Sequence, residues 1–270
     1  MSTPTSTPSA SASASVSVSA PVSNSASVTA VLRSEWIKVK SLRGSVGSLA
    51  AVFVATVAVT VLVFATVGRA EADNADAEPL FGAFYALNFG QVAAISFGTT
   101  AVSSEYVNGA LRVSLAAVPR RGLFYGAKTA VLGAAALLVG LLTSFTTFLG
   151  GQAFLGEHAI GLGHPGAVRA CVGGGFYLAL MALLAAGLAA VLRSGVAVLS
   201  VLIPFTLIVP FVIGDMAGGV AQFLPDRAGQ QILHEDPSGM LGPWAGLGVM
   251  AVWAGAALAA GWWAVRRRDA

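Results

Sequence analysis

Apolar residues gather in six long stretches that contain no Asp, Glu, Lys or Arg. The bounds of these charge-free runs are 44–68, 79–104, 129–156, 170–192, 194–214 and 237–265. A helix needs about 20 mostly apolar residues to cross about 30 Å of hydrocarbon, and every run reaches that length. The pattern predicts six transmembrane helices, at about 46–68, 80–103, 129–150, 170–192, 195–214 and 244–265.

The same pattern decides the fold class. Strand-length segments of alternating polarity do not occur, which argues against a membrane β-barrel. Charged residues make up 10% of the chain and hydrophobic residues 56%, whereas soluble domains carry about 25% charged residues. A single cysteine, Cys171, excludes an intrachain disulfide framework. We therefore predict an all-α polytopic membrane protein in which residues 28–270 form one six-helix transmembrane domain.

Two segments precede the first predicted span. Residues 1–27 consist mainly of Ser, Thr, Ala, Val and Pro without any charge, a composition that predicts a disordered cytoplasmic tail. Residues 28–43 place apolar side chains on one helical arc: Val28, Leu32, Trp36, Val39 and Leu42. Basic residues flank that arc, with Glu35 interrupting it: Arg33, Lys38 and Lys40. This pattern predicts a helix lying in the inner membrane interface; the alternative is an ordinary basic flank of span 1.

The basic residues predict the orientation. Twelve of the fifteen Lys and Arg residues precede span 1, lie between spans 2 and 3 or spans 4 and 5, or follow span 6. The positive-inside rule then places both termini in the cytoplasm.

The inside loop between spans 2 and 3 is long and mixed in character. Leu111, Leu115 and Val118 recur there at helical spacing before Pro119, which predicts a short cytosolic helix at about 105–117. The alternative is a loop that only sets topology.

Signatures of catalysis and of nucleotide, metal or nucleic-acid binding are missing from the sequence. The nearest approach to a phosphate loop, Gly122-x3-Gly126-Ala-Lys128-Thr129, has the wrong spacing and leads into a span. We therefore expect a chain that is not an enzyme and binds no cofactor itself.

Neutral polar groups share one face of span 2: Asn88, Ser96, Thr99 and Ser103. They indicate either helix contacts or a transport pathway. In the outside loop 215–243, Ile232 and Leu233 favour a partly buried re-entrant or surface helix.

Three stretches resemble ABC-2 type permease subunits of actinobacterial ABC transporters. The first is Arg33-Ser-Glu-Trp-Ile-Lys-Val-Lys-Ser-Leu-Arg43. The second is the inside loop Glu105-Tyr106-x-x-Gly109-x-Leu111-Arg112-x-x-Leu115-x-x-x-Pro119-Arg120-Arg121. The third is Leu241-Gly242-Pro243-Trp244, an apolar span and the basic end Arg266-Arg267-Arg268. The resemblance covers about residues 31–270, and the Ser-rich tail departs from it.

The resemblance implies the membrane half of an ATP-driven exporter in the bacterial plasma membrane. Two such chains, identical or paralogous, would form the pathway, and a separate ATPase subunit would bind ATP and magnesium. The loop 104–121 would couple to that ATPase through Glu105, Tyr106, Gly109, Leu111, Arg112, Pro119, Arg120 and Arg121. The interfacial helix would contact lipid with Arg33, Glu35, Trp36, Lys38 and Lys40. A hydrophobic or amphipathic substrate would suit the apolar spans. Two other interpretations stay open, a membrane anchor that transports nothing and an ATP-independent secondary carrier.

Overall fold

A computed structural model describes residues 27–68, 70, 78–107, 109–213, 218–235 and 240–267. The predicted tail therefore lies outside the described residues, except for Ser27. In the described part every regular element is a helix, so the all-α prediction is confirmed there. The α-helices are α1 Val28–Ser41, α2 Arg43–Thr66, α3 Pro79–Ala83, α4 Leu87–Ser103, α5 Ala110–Ala117, α6 Arg121–Leu155, α7 Ala167–Leu192, α8 Gly195–Leu207, α9 Val209–Ile213, α10 Pro225–Gln230 and α11 Pro243–Arg267. Short 3-10 turns cover Ser104–Tyr106, Gly156–His158, Gly218–Phe223 and Gln231–Leu233.

Four helices in the described part are long and apolar enough to cross a membrane: α2, α6, α7 and α11. They coincide with predicted spans 1, 3, 4 and 6, and their length and composition indicate a membrane protein. The other two predicted spans correspond to shorter helices. In span 2 a turn at 84–86 separates α3 from the 17-residue α4. In span 5 the helix breaks at Ile208, between Pro204 and Pro210, where proline removes backbone donors.

Helix α7 is the centre of the bundle. In its most apolar stretch 67% of the residues are buried, against 17% for α2. It packs against α4, α6 and α11, while α2 lies outside α4 and α6. Small residues let these backbones approach. A β-carbon at Gly98 of α4 would overlap the carbonyl of Ala182, and one at Gly187 would overlap the backbone of Ala257 in α11. Glycine at these positions therefore sets the distance between the central helices.

One end of the bundle carries α1, the end of α11 and the loop between α4 and α6. There the Arg121 guanidinium donates to the carbonyl of Val265 near the end of α11, at 3.1 Å. The Tyr106 hydroxyl donates to the carbonyl of Ala190 near the end of α7, at 3.4 Å. At the other end, α10 and the turn 231–233 pack against α7 and α11. Ile232 and Leu233 are 0% and 2% exposed, so this segment is more completely buried than the partly buried helix that the sequence pattern predicts.

Candidate functional site

Four charged side chains from three parts of the chain meet beside the first turns of α6. Glu35 and Lys38 come from α1, Glu105 from the turn after α4, and Lys128 from α6. Glu35, Glu105 and Lys128 are only 2%, 5% and 6% exposed. Charged groups are rarely buried to this extent unless they are paired. We call these four residues the ion-pair cluster.

Each ammonium group of the cluster contacts both carboxylates. Lys128 Nζ lies 3.0 Å from Glu35 Oε2 and 2.9 Å from Glu105 Oε1. Lys38 Nζ lies 2.8 Å from Glu35 Oε1 and 3.0 Å from Glu105 Oε1. The two negative and two positive charges cancel, so the burial of each ion is offset by two partners. The arrangement fixes α1, the turn 104–106 and α6 relative to one another.

The pKa shifts follow from this competition between burial and pairing. Burial alone would raise the pKa of Glu105, but Lys128 and then Lys38 outweigh it and lower the pKa below its usual value. Burial opposes the charged form of Lys38, but hydrogen bonds to Glu35 and Glu105 outweigh it and raise the pKa of this lysine. Both groups therefore stay ionised in the folded protein at neutral pH.

Helix α5 joins the cluster through one serine. The Ser114 hydroxyl donates to Glu105 Oε2 at 2.9 Å and accepts from Lys38 Nζ at 3.0 Å. The buried ring of Phe124 lies 5.2 Å from Lys38 Nζ and 5.8 Å from Lys128 Nζ, within range of cation–π attraction. A displacement of α5 would therefore disturb the cluster and, through Lys128, the long helix α6.

The predicted coupling residues divide into two groups. Tyr106 and the 6% exposed Leu111 face the bundle with Glu105. Gly109 immediately precedes α5 with a φ of 72°, a left-handed conformation that favours glycine. This residue splits the predicted helix 105–117 into a turn and the shorter α5. The second group is at the surface, where Arg112, Pro119 and Arg120 are exposed and Arg121 is partly exposed.

Helix α1 has two different faces, which explains why Glu35 interrupts its apolar arc. Val31 and Glu35 are buried against the bundle, and Lys38 extends that face into the ion-pair cluster. The predicted apolar arc is largely exposed, with Val28 55% and Trp36 37% accessible. Arg33 and Lys40 are also exposed, and Lys40 Nζ lies 4.9 Å from the Trp36 ring. The helix thus offers one face to the protein and a separate apolar face to its surroundings.

The neutral polar residues of predicted span 2 serve separate contacts. Ser96 donates to the carbonyl of Val92 in its own helix at 2.9 Å. A β-carbon at Gly195 would lie 2.8 Å from Ser103 Oγ and 3.5 Å from a carbon of Thr99. Thr99 and Ser103 therefore pack against the start of α8. Asn88, at the other end of α4, accepts a hydrogen bond from Gln230 at 3.0 Å. The four groups do not line one common surface.

The sequence reasoning missed two buried ionisable groups. The sequence places Lys128 just outside predicted span 3, because the charge-free run begins at residue 129. In the structure α6 already begins at Arg121, so Lys128 lies two turns inside a helix. Asp226, in the outside loop, is 6% exposed and contacts Tyr177 and Gln230. The neighbouring apolar pair Ile232 and Leu233 was the signal that this segment enters the bundle.

Among the described residues, no group of three or more His, Cys, Asp and Glu side chains is placed to hold a metal ion. Comparisons with protein-family models, curated proteins and solved structures find no match to this chain.

Proposed function

We propose that this chain is the transmembrane permease subunit of an ATP-driven ABC transporter, and that a separate ATPase subunit holds ATP and magnesium. The observation that carries the proposal is the ion-pair cluster. It joins a surface helix, α5, to a helix long enough to cross a membrane, α6. An ATPase that moves α5 would transmit its motion through Glu105 and Lys128. Such coupling needs a rigid contact between the two helices. A buried ion pair provides one, because separating its charges inside the protein is costly.

The exposed side of α5 supports a protein partner at this face. Val107 and Val113 are 58% and 72% exposed, beside the exposed Arg112. Val113 lies in α5 and Val107 shortly before it, and both valines lie outside the four apolar helices. Exposed apolar side chains beside a basic residue suit a groove on a soluble partner. In this proposal Arg112, Pro119 and Arg120 dock the ATPase, while Glu105, Tyr106 and Leu111 connect the docked segment to the bundle.

The proposal includes six spans, with both termini in the cytoplasm of a bacterium. Helices α3 and α4 would form span 2, since backbone hydrogen bonds from Tyr85 N to Gly82 O and from Leu87 N to Phe84 O connect them across the turn. Residues 79–103 would then extend about 37 Å at 1.5 Å per residue. Helices α8 and α9 would form the kinked span 5. Helix α1 would lie on the inner leaflet with its exposed apolar arc in lipid.

A hydrophobic or amphipathic substrate is the class that suits this bundle. A cavity of about 480 Å³ lies between the ends of α2 and α6 and the start of α3. Phe64, Phe81 and Leu155 contribute apolar walls, and Glu78, Gln152 and His158 add polar groups. Apolar walls with few polar groups are typical of sites for such molecules. A second permease chain, identical or paralogous, would complete the pathway, and export is the expected direction.

The first experiment tests the docking surface. The full chain is tagged, purified from membranes in mild detergent, and examined for a stoichiometric ATPase and for ATP hydrolysis. We expect the ATPase to co-purify with the wild type and to be lost in Arg112→Glu and in Val113→Asp. Glu157→Gln, an exposed change near the opposite end of α6, is the matched control and should retain the partner. If the wild-type chain purifies without an ATPase, the proposal is contradicted.

A second set of variants separates docking from coupling. Glu105→Gln removes a charge from the buried cluster and leaves the exposed face of α5 unchanged. We expect this variant to keep the ATPase bound while substrate no longer stimulates ATP hydrolysis in reconstituted liposomes. Loss of the partner in Glu105→Gln, with retention in Arg112→Glu, would reverse the assigned roles.

A secondary carrier is the second candidate function, because one observation favours it. Asp226 is an ionisable group buried against α7, although the six charge-free runs themselves contain no carboxylate. Buried carboxylates within membrane proteins often mark proton or ion pathways. Transport that follows an ion gradient and ignores ATP depletion would select this function over the ABC permease.

A further inference from the structure

Asp226 lies deep beside the central helix. The closest side chain of α7, Tyr177, is ten residues from the first residue of that helix, Ala167, which places it about 15 Å along the axis. Glycines make room for this approach. A β-carbon at Gly229 would collide with Tyr177, and one at Gly173 would collide with Ile232. The segment 225–233 is thus wedged between α7 and α11 by close contacts.

The carboxyl group of Asp226 has polar neighbours but no ion pair. Its Oδ1 lies 2.5 Å from Tyr177 Oη and 2.9 Å from Gln230 Nε2. In the described part of the chain no Lys, Arg or His side chain forms a salt bridge with it. The adjacent Arg227 instead donates to the carbonyl of Pro210 at 2.5 Å. An ionised carboxylate buried without a cation is costly, and such groups usually become neutral.

With the amide oxygen of Gln91 toward Tyr177, the hydrogen bonds around Tyr177 require one more proton than neutral side chains and an ionised Asp226 provide. Tyr177 Oη lies 2.5 Å from Asp226 Oδ1 and 2.5 Å from the amide oxygen of Gln91. A phenol has one proton and can donate to only one of these acceptors. A proton on Asp226 supplies the other bond, with Asp226 donating to Tyr177 and Tyr177 donating to Gln91. The Gln91 Nε2 group is buried without a hydrogen-bond partner in this orientation. Turning the amide would let Nε2 donate to Tyr177 and would allow an ionised Asp226; the infrared experiment distinguishes the two arrangements.

We propose that Asp226 is a reversible proton-binding site, and that its protonated form holds the segment 225–233 between α7 and α11. Tyr177 and Gln91 are 0% exposed and Asp226 is 6% exposed, and a proton is the ligand that such a closed site accommodates. When the proton leaves to water, a carboxylate without a cation remains between the helices. The segment then separates from Tyr177, which opens this end of the bundle.

The surrounding charges agree with this assignment. Burial raises the pKa of Asp226, and hydrogen bonds with Tyr177, Gln230 and Gln91 and the attraction of Arg227 reverse only part of that effect. Titratable groups that face Asp226 are few. Helix α7 contributes Tyr177 and α10 itself contributes Arg227. The apolar lengths of α4 and α11 contribute none, because residues 87–103 and 243–265 contain no charged residue, histidine, cysteine or tyrosine.

Infrared difference spectroscopy of the full chain in lipid nanodiscs tests the proton directly. A protonated carboxyl gives a C=O stretching band separate from the carboxylate bands. We expect this band in the wild type at neutral pH, its loss at alkaline pH, and its absence from Asp226→Asn. Glu157→Gln, which removes an exposed acid, should leave the band unchanged. A wild-type spectrum without the band at neutral pH overturns the proposal, as does a band that persists in Asp226→Asn.

Hydrogen exchange of residues 225–233 tests the structural consequence. The ratio of exchange rates between the wild type and Asp226→Asn removes the intrinsic pH dependence of exchange. We expect a ratio near one at acidic pH that rises at least about tenfold at alkaline pH, corresponding to about 1.4 kcal/mol. A ratio that is independent of pH overturns the proposal that protonated Asp226 holds residues 225–233 between α7 and α11. Neither measurement involves an ATPase, so a failure here is distinguishable from a failure of the permease proposal.

Discussion

Glu105 and Asp226 are both buried in this bundle, and they are stabilised in opposite ways. Glu105 contacts two lysines at 2.9 and 3.0 Å, which lower its pKa despite burial. Asp226 contacts a tyrosine and a glutamine, and burial raises its pKa. The first group is a permanent ion and the second is a reversible one. Burial alone therefore does not decide the charge of a carboxyl group; the availability of a cation does.

The two sites are connected by one helix. Gln91 of α4 contacts Tyr177 beside Asp226, and Glu105 follows the end of the same helix. Gly98 lies midway between them and sets the contact of α4 with α7. We therefore interpret α4 as the rigid element between a fixed ionic link at one end of the bundle and a titrating link at the other. The predictions below test each link and the helix between them.

The largest effect is expected when Lys128 loses its charge. Lys128→Met leaves Glu35 and Glu105 buried with Lys38 as their remaining cation. Loss of one partner of a buried ion pair costs about 3–5 kcal/mol. We expect the free energy of unfolding in detergent to fall by about this amount.

The double variant Lys128→Met with Glu105→Gln should recover part of that loss, because it removes one charge of each sign. A double-mutant cycle measures the recovery as a coupling energy. A Lys128→Met protein within about 0.5 kcal/mol of the wild type would show that the cluster is not a strong link.

The next effect concerns the helix between the sites. Gly98→Ala places a β-carbon against the backbone carbonyl of Ala182, so α4 must move away from α7. Overpacking of this kind costs about 1–3 kcal/mol. Thermal unfolding should show the loss, and hydrogen exchange should show faster opening near both Gln91 and Glu105.

Gly126→Ala is the matched control, because nothing lies within 4 Å of the added methyl group in α6. It should be neutral or stabilising by about 0.5–1 kcal/mol, since alanine favours helices over glycine. Equal destabilisation of both variants would mean that the contact with Ala182 does not matter.

Opposite pH dependences are the third expectation. Because the folded pKa of Asp226 is raised, its contribution is fully present below the ordinary aspartate pKa of about 3.9 and is lost as pH rises through the folded pKa. The folded pKa of Glu105 is lowered, so its contribution is present above about pH 4.3 and is lost as pH falls through the folded pKa. One proton changes stability by at most about 1.4 kcal/mol per pH unit.

Thermal melts across pH separate the two groups. Asp226→Asn should flatten the alkaline side of the stability profile, and Glu105→Gln should flatten the acid side. A single variant that flattens both sides would contradict the distinction between a permanent and a reversible ion.

The sequence predicts the helical class and six spans, and four of those spans are long apolar helices in the structure, because charge-free runs report hydrophobic length. Helix positions are less predictable where charges enter a helix. The sequence places Lys128 outside span 3, because gaps between charged residues do not show that this lysine contacts two carboxylates from distant segments in the folded chain. For the same reason, the sequence shows Glu35 only as a charged residue that interrupts the apolar arc of residues 28–43. Its partner Lys128 is 93 residues away in the sequence, and only packing reveals the pair.

The site at Asp226 was predictable only as a location. The apolar residues after α10 indicated burial, and they are buried. The partners of Asp226 come from α4 and α7, so no local spacing could identify them. Six spans, the interfacial position of α1 and the coupling role of α5 stay predictions.

The smallest effect is expected at Lys38, and it sharpens the contrast within the ion-pair cluster. Lys38 and Lys128 contact the same two carboxylates, but their side chains are 34% and 7% exposed. Water can replace much of the favourable interaction that Lys38 makes with the two carboxylates, and exposed ion pairs contribute about 0.2–1 kcal/mol to stability. Lys38→Met should therefore lower the free energy of unfolding by less than about 1 kcal/mol, with Lys40→Met on the exposed side of α1 as the control. If Lys38→Met is as damaging as Lys128→Met, the number of contacts and not their burial determines the strength of the link.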